Sequence, residues 1–165
     1  MTRATTRRRR WQPPRFTDEE LDEDRVREAL VAQHARLRAL LSWLEHQALE
    51  VIQAGKGSAT KLAAAFGEIA TALTDHTRGE ERALTRLLPS TATAARALAL
   101  LREDHRCQHE ELEAMSRLAA TSDDAITLAL AVRAFVGDVR LDMDAEDRRY
   151  LSTRPLDGDP TDAEG

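Results

Sequence analysis

This 165-residue sequence predicts an all-α fold, an up-down-up-down antiparallel four-helix bundle, on three observations. Pro is absent from 15–88 and from 90–154, so long helices are permitted on both sides of Pro89. Aromatic residues are 4% of the chain while hydrophobic residues are 42%, so Ala and Leu must build the core, and that composition favours helix. Apolar residues recur at spacings of three and four along every candidate segment.

The first helix is expected to start at the capping box Thr17-Asp18-Glu19-Glu20, with Phe16 as its staple, and to reach about Gln53, with room for a break near Asp24. Leu30, Leu37, Leu41 and Leu44 mark its apolar stripe. Gly55-Lys56-Gly57-Ser58 ends it and caps the second helix, expected from about Ala59 to Leu88 with Leu62, Phe66, Ile69, Leu73 and Leu87 inward. Pro89 stops that helix, and Ser90 and Thr91 can cap the third, which runs to about Ala120 on Leu98, Leu101, Leu112 and Met115. Thr121-Ser122-Asp123 is the next cap signal. The fourth helix, on Leu128, Val132, Phe135 and Val139, is expected to reach about Ser152 before Pro155. Short connections make neighbouring helices antiparallel.

Composition narrows the function. A net charge of −5 divides into +6 on residues 1–15, −3 on 154–165 and −8 on the body, 16–153. An acidic body argues against nucleic acid as the specific partner. The two ends read as disordered tails, the basic one with a run Arg7–Arg10 free to touch an anionic surface. Trp11-Gln12-Pro13-Pro14 follows the arginines where an export signal needs an apolar stretch, and no run of about 18 apolar residues exists. A cytoplasmic protein without a membrane span is therefore expected. The single cysteine, Cys107, excludes a disulfide framework and a thiolate-only zinc site. Arg outnumbers Lys 22 to 2, which reads as codon bias.

The chemistry lies in the gaps of the stripes. Leu30 to Leu37 passes through His34. Leu73 leads to His76, Glu80, Leu84 and Leu87. Leu101 leads to His105, Gln108, His109 and Leu112. Val139 leads to Asp142, Glu146 and Tyr150. Counting residues from each turn, at 1.5 Å per residue, puts His34, His76, His105 and Asp142 at similar heights. His76/Glu80, His105/His109 and Asp142/Glu146 are i, i+4 pairs, so each helix can offer two ligands on one face. One histidine on an apolar stripe is ordinarily a hydrogen-bonded core residue. Four stripes interrupted at one level are better explained by a metal, because burying so many ionisable groups is costly otherwise. His46 lies about 120° around from His34 and reads as a surface histidine; Cys107 is expected outside the cluster.

These residues resemble the hemerythrin-like, or HHE cation-binding, domain. The likeness rests on His34 in Gln33-His34-Ala35-Arg36-Leu37, on His76-Thr-Arg-Gly-Glu80-Glu81 before Leu84, Leu87 and Pro89, and on His105-Arg-Cys-Gln-His109. It covers about 17–155. An internal repeat at a shift of 66 sets Glu80-Glu81 on Glu146-Asp147, Pro89 on Pro155 and His76 on Asp142. At Asp142 the sequence departs from the family, which has a histidine there. The acid that follows stays open: Glu146 suits a straight helix, whereas Asp147 needs a local bulge.

The resemblance implies a non-haem di-iron centre, two irons per chain, with manganese or zinc as other occupants of the donor set. In that picture Glu80 and Glu146 bridge the metals, His34 and His76 serve one, and His105, His109 and Asp142 serve the other. It also implies binding of O2, NO or peroxide, or iron sensing and buffering; enzymatic turnover of peroxide or NO, and a metal-free interaction module, are the alternatives. An extra carboxylate at Asp142 favours ferric iron and a low potential. Gly79 either admits a ligand or is an indifferent outer-face glycine, and Tyr150 is expected to be core packing. A ferritin-like centre is excluded, since no acid stands three residues before any histidine, and Arg106 replaces the general-base glutamate of HExxH zinc proteases.

Overall fold

The computed structural model describes residues 23–88 and 90–151. The capping box at Thr17, Pro89 and both tails lie outside the described residues. Four α-helices follow in order: α1 Glu23–Ala54, α2 Ala59–Leu87, α3 Ala92–Thr121 and α4 Ala125–Glu146. A π-helical turn, Asp147–Leu151, continues α4. The described residues form the expected helical bundle, with α1 packed mainly on α4 and α2, and α2 on α3.

Local chemistry sets the boundaries. Gly55 adopts φ 61°, the left-handed conformation that closes α1, and its N–H bonds to the Ile52 carbonyl. Ser58 accepts from the Lys61 N–H and Thr91 from the Ala94 N–H, each a side-chain N-cap. The cap of α4 is Asp124, one residue beyond the expected signal, accepting from the Ile126 N–H. Leu88 is extended, with ψ 133°, as a residue preceding proline should be.

The apolar interior falls into two clusters. The larger joins Leu37, Leu41, Leu44, Phe66, Ile69, Leu73, Leu128, Val132, Phe135 and Val139, with the Phe66 and Phe135 rings edge to face at 5.4 Å. The smaller joins Val26, Leu30, Ala83, Leu84, Leu101, Tyr150 and Leu151. Along every helix the polar residues of interest stand between members of the two clusters: His34 between Leu30 and Leu37, Glu80 between Leu73 and Ala83, His105 between Leu101 and Leu112, Glu146 between Met143 and Tyr150. A polar layer thus divides an otherwise apolar core. Leu87, Leu98 and Met115, expected inward, are half-buried at its edge. Among the described residues no helix is long and apolar enough to cross a membrane.

Candidate metal centre

Five ionisable side chains are buried in this layer: His34 on α1, His76 and Glu80 on α2, His105 on α3, and Glu146 at the end of α4. Ligand atoms of His34, His76, Glu80 and Glu146 all lie within 4.8 Å of one another. The His34 and His76 Nε2 atoms are 3.0 Å apart. Glu80 turns Oε1 toward His34 Nε2 at 3.7 Å and Oε2 toward His76 Nε2 and His105 Nε2, each at 3.5 Å. Glu146 sets Oε2 3.7 Å from His34 Nε2 and Oε1 3.3 Å from His105 Nε2. Both carboxylates therefore span the gap between the His34/His76 side and the His105 side.

The outer nitrogen of each buried imidazole has an acceptor. His34 Nδ1 donates to Asp147 Oδ1 at 2.6 Å, His76 Nδ1 to Gln33 Oε1 at 3.0 Å, and His105 Nδ1 to Glu81 Oε1 at 2.9 Å. Such bonds fix the tautomer and, when the ring is neutral, leave Nε2 with a lone pair aimed inward, as in metal-ligating histidines. Two inward lone pairs 3.0 Å apart repel unless a cation or a proton lies between them. That separation matches adjacent ligands of one cation with metal–nitrogen bonds of about 2.1 Å.

The electrostatics agree. Glu80 is fully buried, and neither of its oxygens has a hydrogen-bond partner; His105 Nε2 has none either. Contacts of 3.5–3.7 Å are ion-pair distances rather than hydrogen bonds. Burial opposes ionisation of Glu80, but His105, His76 and His34 outweigh it and hold its pKa below the usual value. Burial raises the pKa of Glu146 despite His105, with Glu80 adding repulsion. Burial lowers the His76 pKa to about 4, so this imidazole is neutral and free to ligate. Burial also opposes protonation of His105, yet Glu146, Glu80 and Glu81 together push its pKa up to about 10. Without a metal, a proton on His105 supplies the positive charge the two carboxylates require. A divalent cation meets the same demand and satisfies the orphaned oxygens as well. The donor set of imidazoles and carboxylates, without thiolate, is one that divalent transition-metal ions take.

The remaining expected ligands stand apart. His109 is half-buried, and its Nε2 lies 3.1 Å from the hydroxyl of Thr77, which itself donates to the Thr74 carbonyl. His109 Nε2 is therefore engaged by Thr77 rather than aimed at the cluster. Asp142 is exposed on α4, with the Gln108 amide as its partner. The buried stripe of α4 passes through Met143 instead, along Val139, Met143, Glu146 and Tyr150. The bulge that would serve Asp147 is present as the π-helical turn, yet Glu146 faces the interior and Asp147 the outer edge of His34. His46 is exposed beside Glu50, and Cys107 is exposed. A Cβ added at Gly79 would meet no atom within 4 Å, so no close approach requires this glycine. The Tyr150 hydroxyl donates to the Ala97 carbonyl and the ring packs in the smaller cluster.

Sequence reasoning gave no role to Gln33, Glu81, Thr77 or Arg38. One signal was available for Gln33: it continues the spacing Leu30, Gln33, Leu37, so a polar residue occupies a core slot. Arg38 donates to Asp144 and Asp147 across the α1–α4 seam, a contact with no local signature.

The hemerythrin HHE cation-binding domain model matches residues 25–153. No curated protein and no solved structure matches significantly. With four helices around a buried His/Glu cluster that could bind a metal, and a family match over most of its length, the chain belongs to the hemerythrin HHE cation-binding domain family.

Proposed function

We propose that this protein holds a non-haem iron centre, with two irons when fully loaded, and that it binds a small ligand such as O2, NO or peroxide, or senses and buffers iron. The observation that supports this most directly is Glu80: a fully buried carboxylate with both oxygens unpartnered, facing the inward nitrogens of three anchored histidines. His34 and His76 would hold the first ion, with Glu80 and Glu146 shared between both. His105 would start the second position, and His109 and Asp142 are the candidates to complete it. When bound, iron supplies a redox couple and a coordination position for a small ligand.

The chain's own groups set the conditions for that chemistry. Asp147, Gln33 and Glu81 orient the three imidazoles from outside. Leucines above and below the layer keep bulk water from the donors. His105 carries a proton shared in charge with Glu146 and Glu80, and it must release that proton before its Nε2 can ligate. Loading of the second position is therefore expected to release a proton and to be weaker than loading of the first.

Elemental analysis of protein purified without added metal, with an optical spectrum before and after reduction, tests the reading. Two irons per chain with charge-transfer bands that bleach on reduction is the expected result. Ligand titrations should then show O2, NO or peroxide bound without being consumed. No metal, even after anaerobic incubation with ferrous iron, would overturn it.

A further inference from the structure

The sequence places two acids side by side at the end of α4, and the structure sends them to opposite edges of one imidazole. Glu146 Oε2 faces Nε2 of His34 at 3.7 Å, whereas Asp147 Oδ1 accepts from Nδ1 of the same ring at 2.6 Å. We infer that Asp147 is a positioning residue for His34 and not a metal ligand, and that the π-helical turn divides two adjacent carboxylates into one ligand and one support. This inference rests on the metal-centre reading above.

Both oxygens of Asp147 are committed. Oδ2 accepts from Arg38 at 2.7 Å, and the same guanidinium donates to Asp144 at 2.6 Å. Arg38 lies one turn beyond His34 on α1, so the two residues of α1 hold Asp147 between them. The backbone makes room for this. The Asp147 N–H bonds to the carbonyls of both Asp144 and Met143, where the helix changes register. Beyond it, the consecutive residues Tyr150 and Leu151 are both buried, which a narrow helical stripe seldom allows. Widening of this kind re-aims side chains and is common at functional sites.

The consequence is chemical as well as geometric. Two histidines assigned to one ion receive unequal support: a carboxylate, Asp147, on His34 and a neutral amide, Gln33, on His76. An anionic acceptor makes an imidazole a stronger donor to metal. Asp147 thus raises the donor strength of His34 alone, favours the oxidised ion, and sets the potential without touching the metal.

The test compares the wild type with Asp147→Asn, Asp147→Ala and Glu146→Gln. Three quantities are measured: iron per chain after anaerobic loading, the midpoint potential, and, in metal-free protein, the His34 Nδ1–H signal by nitrogen-15 NMR. Glu146→Gln should lose bound iron. Asp147→Asn, which keeps the shape and the acceptor, should still load iron, with affinity reduced roughly ten- to a hundredfold. Its potential should shift upward, and its Nδ1 proton should move upfield. Asp147→Ala should lose the Nδ1–H signal. An Asp147→Asn protein devoid of iron beside a Glu146→Gln protein that retains it would overturn the assignment. An unchanged potential would do the same. Should the wild type take up no iron at all, the metal reading fails; the NMR signal then still decides whether Asp147 holds His34, and persistence in Asp147→Ala overturns that too.

Discussion

The two sides of the polar layer are built differently. On the His34/His76 side every imidazole is buried, its outer nitrogen has a dedicated acceptor, and its inner nitrogen faces a carboxylate. On the far side only His105 meets that description. His109 is turned to Thr77, and the exposed Asp142 to Gln108. The difference shows that a ligand-type residue on a core stripe is not by itself a ligand site. What prepares it is a partner on the nitrogen that faces away. Helix packing explains which side was prepared: α4 lies chiefly against α1 and less closely against α3, so Asp142 sits over the looser seam.

The strongest way to break the comparison is to remove the group common to both sides. Glu80→Gln should abolish metal binding at both positions, read as loss of iron from anaerobically loaded protein; two irons in that variant would remove Glu80 from the site. Single-side variants come next. His34→Ala should prevent loading altogether if, as proposed, Glu80 and Glu146 are shared between the two positions. His109→Ala should lower the metal from two ions to one. Equal losses in both would mean the two sides are equivalent.

Acidification sharpens the contrast in the metal-free protein. The His76 pKa is lowered in the folded state, so folding keeps the ring neutral while the unfolded chain takes up a proton. The stability this contributes is present above about pH 6.5 and is lost as pH falls toward about 4, by roughly 3 kcal/mol. Urea melts of the metal-free protein between pH 6.5 and 4 should show that fall, because the opposite contribution of His105, whose pKa is raised to about 10, is nearly complete by pH 6.5. Asp147, whose pKa is lowered by His34 and Arg38 against the opposing effect of burial, adds to it in the more acidic range. A flat profile would show that His76 is solvated. The smallest effect is expected from Arg38→Ala. The arginine is partly exposed, so its pairs with Asp144 and Asp147 should contribute only about 1 kcal/mol, measured by thermal unfolding. A loss above about 3 kcal/mol would make the α1–α4 clamp central to the fold.

Much of the bundle was legible in the chain. Proline placement, the Gly55 turn, the Ser58 and Thr91 caps and the leucine spacing mark the three connections between the helices to within a residue or two. The inward positions of His34, His76, Glu80, His105 and Glu146 were also legible, because each interrupts an apolar stripe whose period is set by the helix itself. Asp142 was misplaced on that reasoning, since Val139 to Asp142 and Val139 to Met143 are equally good helical steps, and only the neighbouring helices choose between them.

By itself, then, the sequence determined what short-range geometry controls: the turns and caps between the helices, the inward stripe of His34, His76, Glu80, His105 and Glu146, and their meeting at one level. Tertiary structure alone decided which nitrogen of each ring points inward, that His109 turns to Thr77, and that Glu146 and Asp147 part company at the π-helical turn. Those outcomes depend on Gln33, Thr77, Arg38 and Asp147 reaching across from other helices, 32 to 113 residues away along the chain, where no local periodicity carries the information.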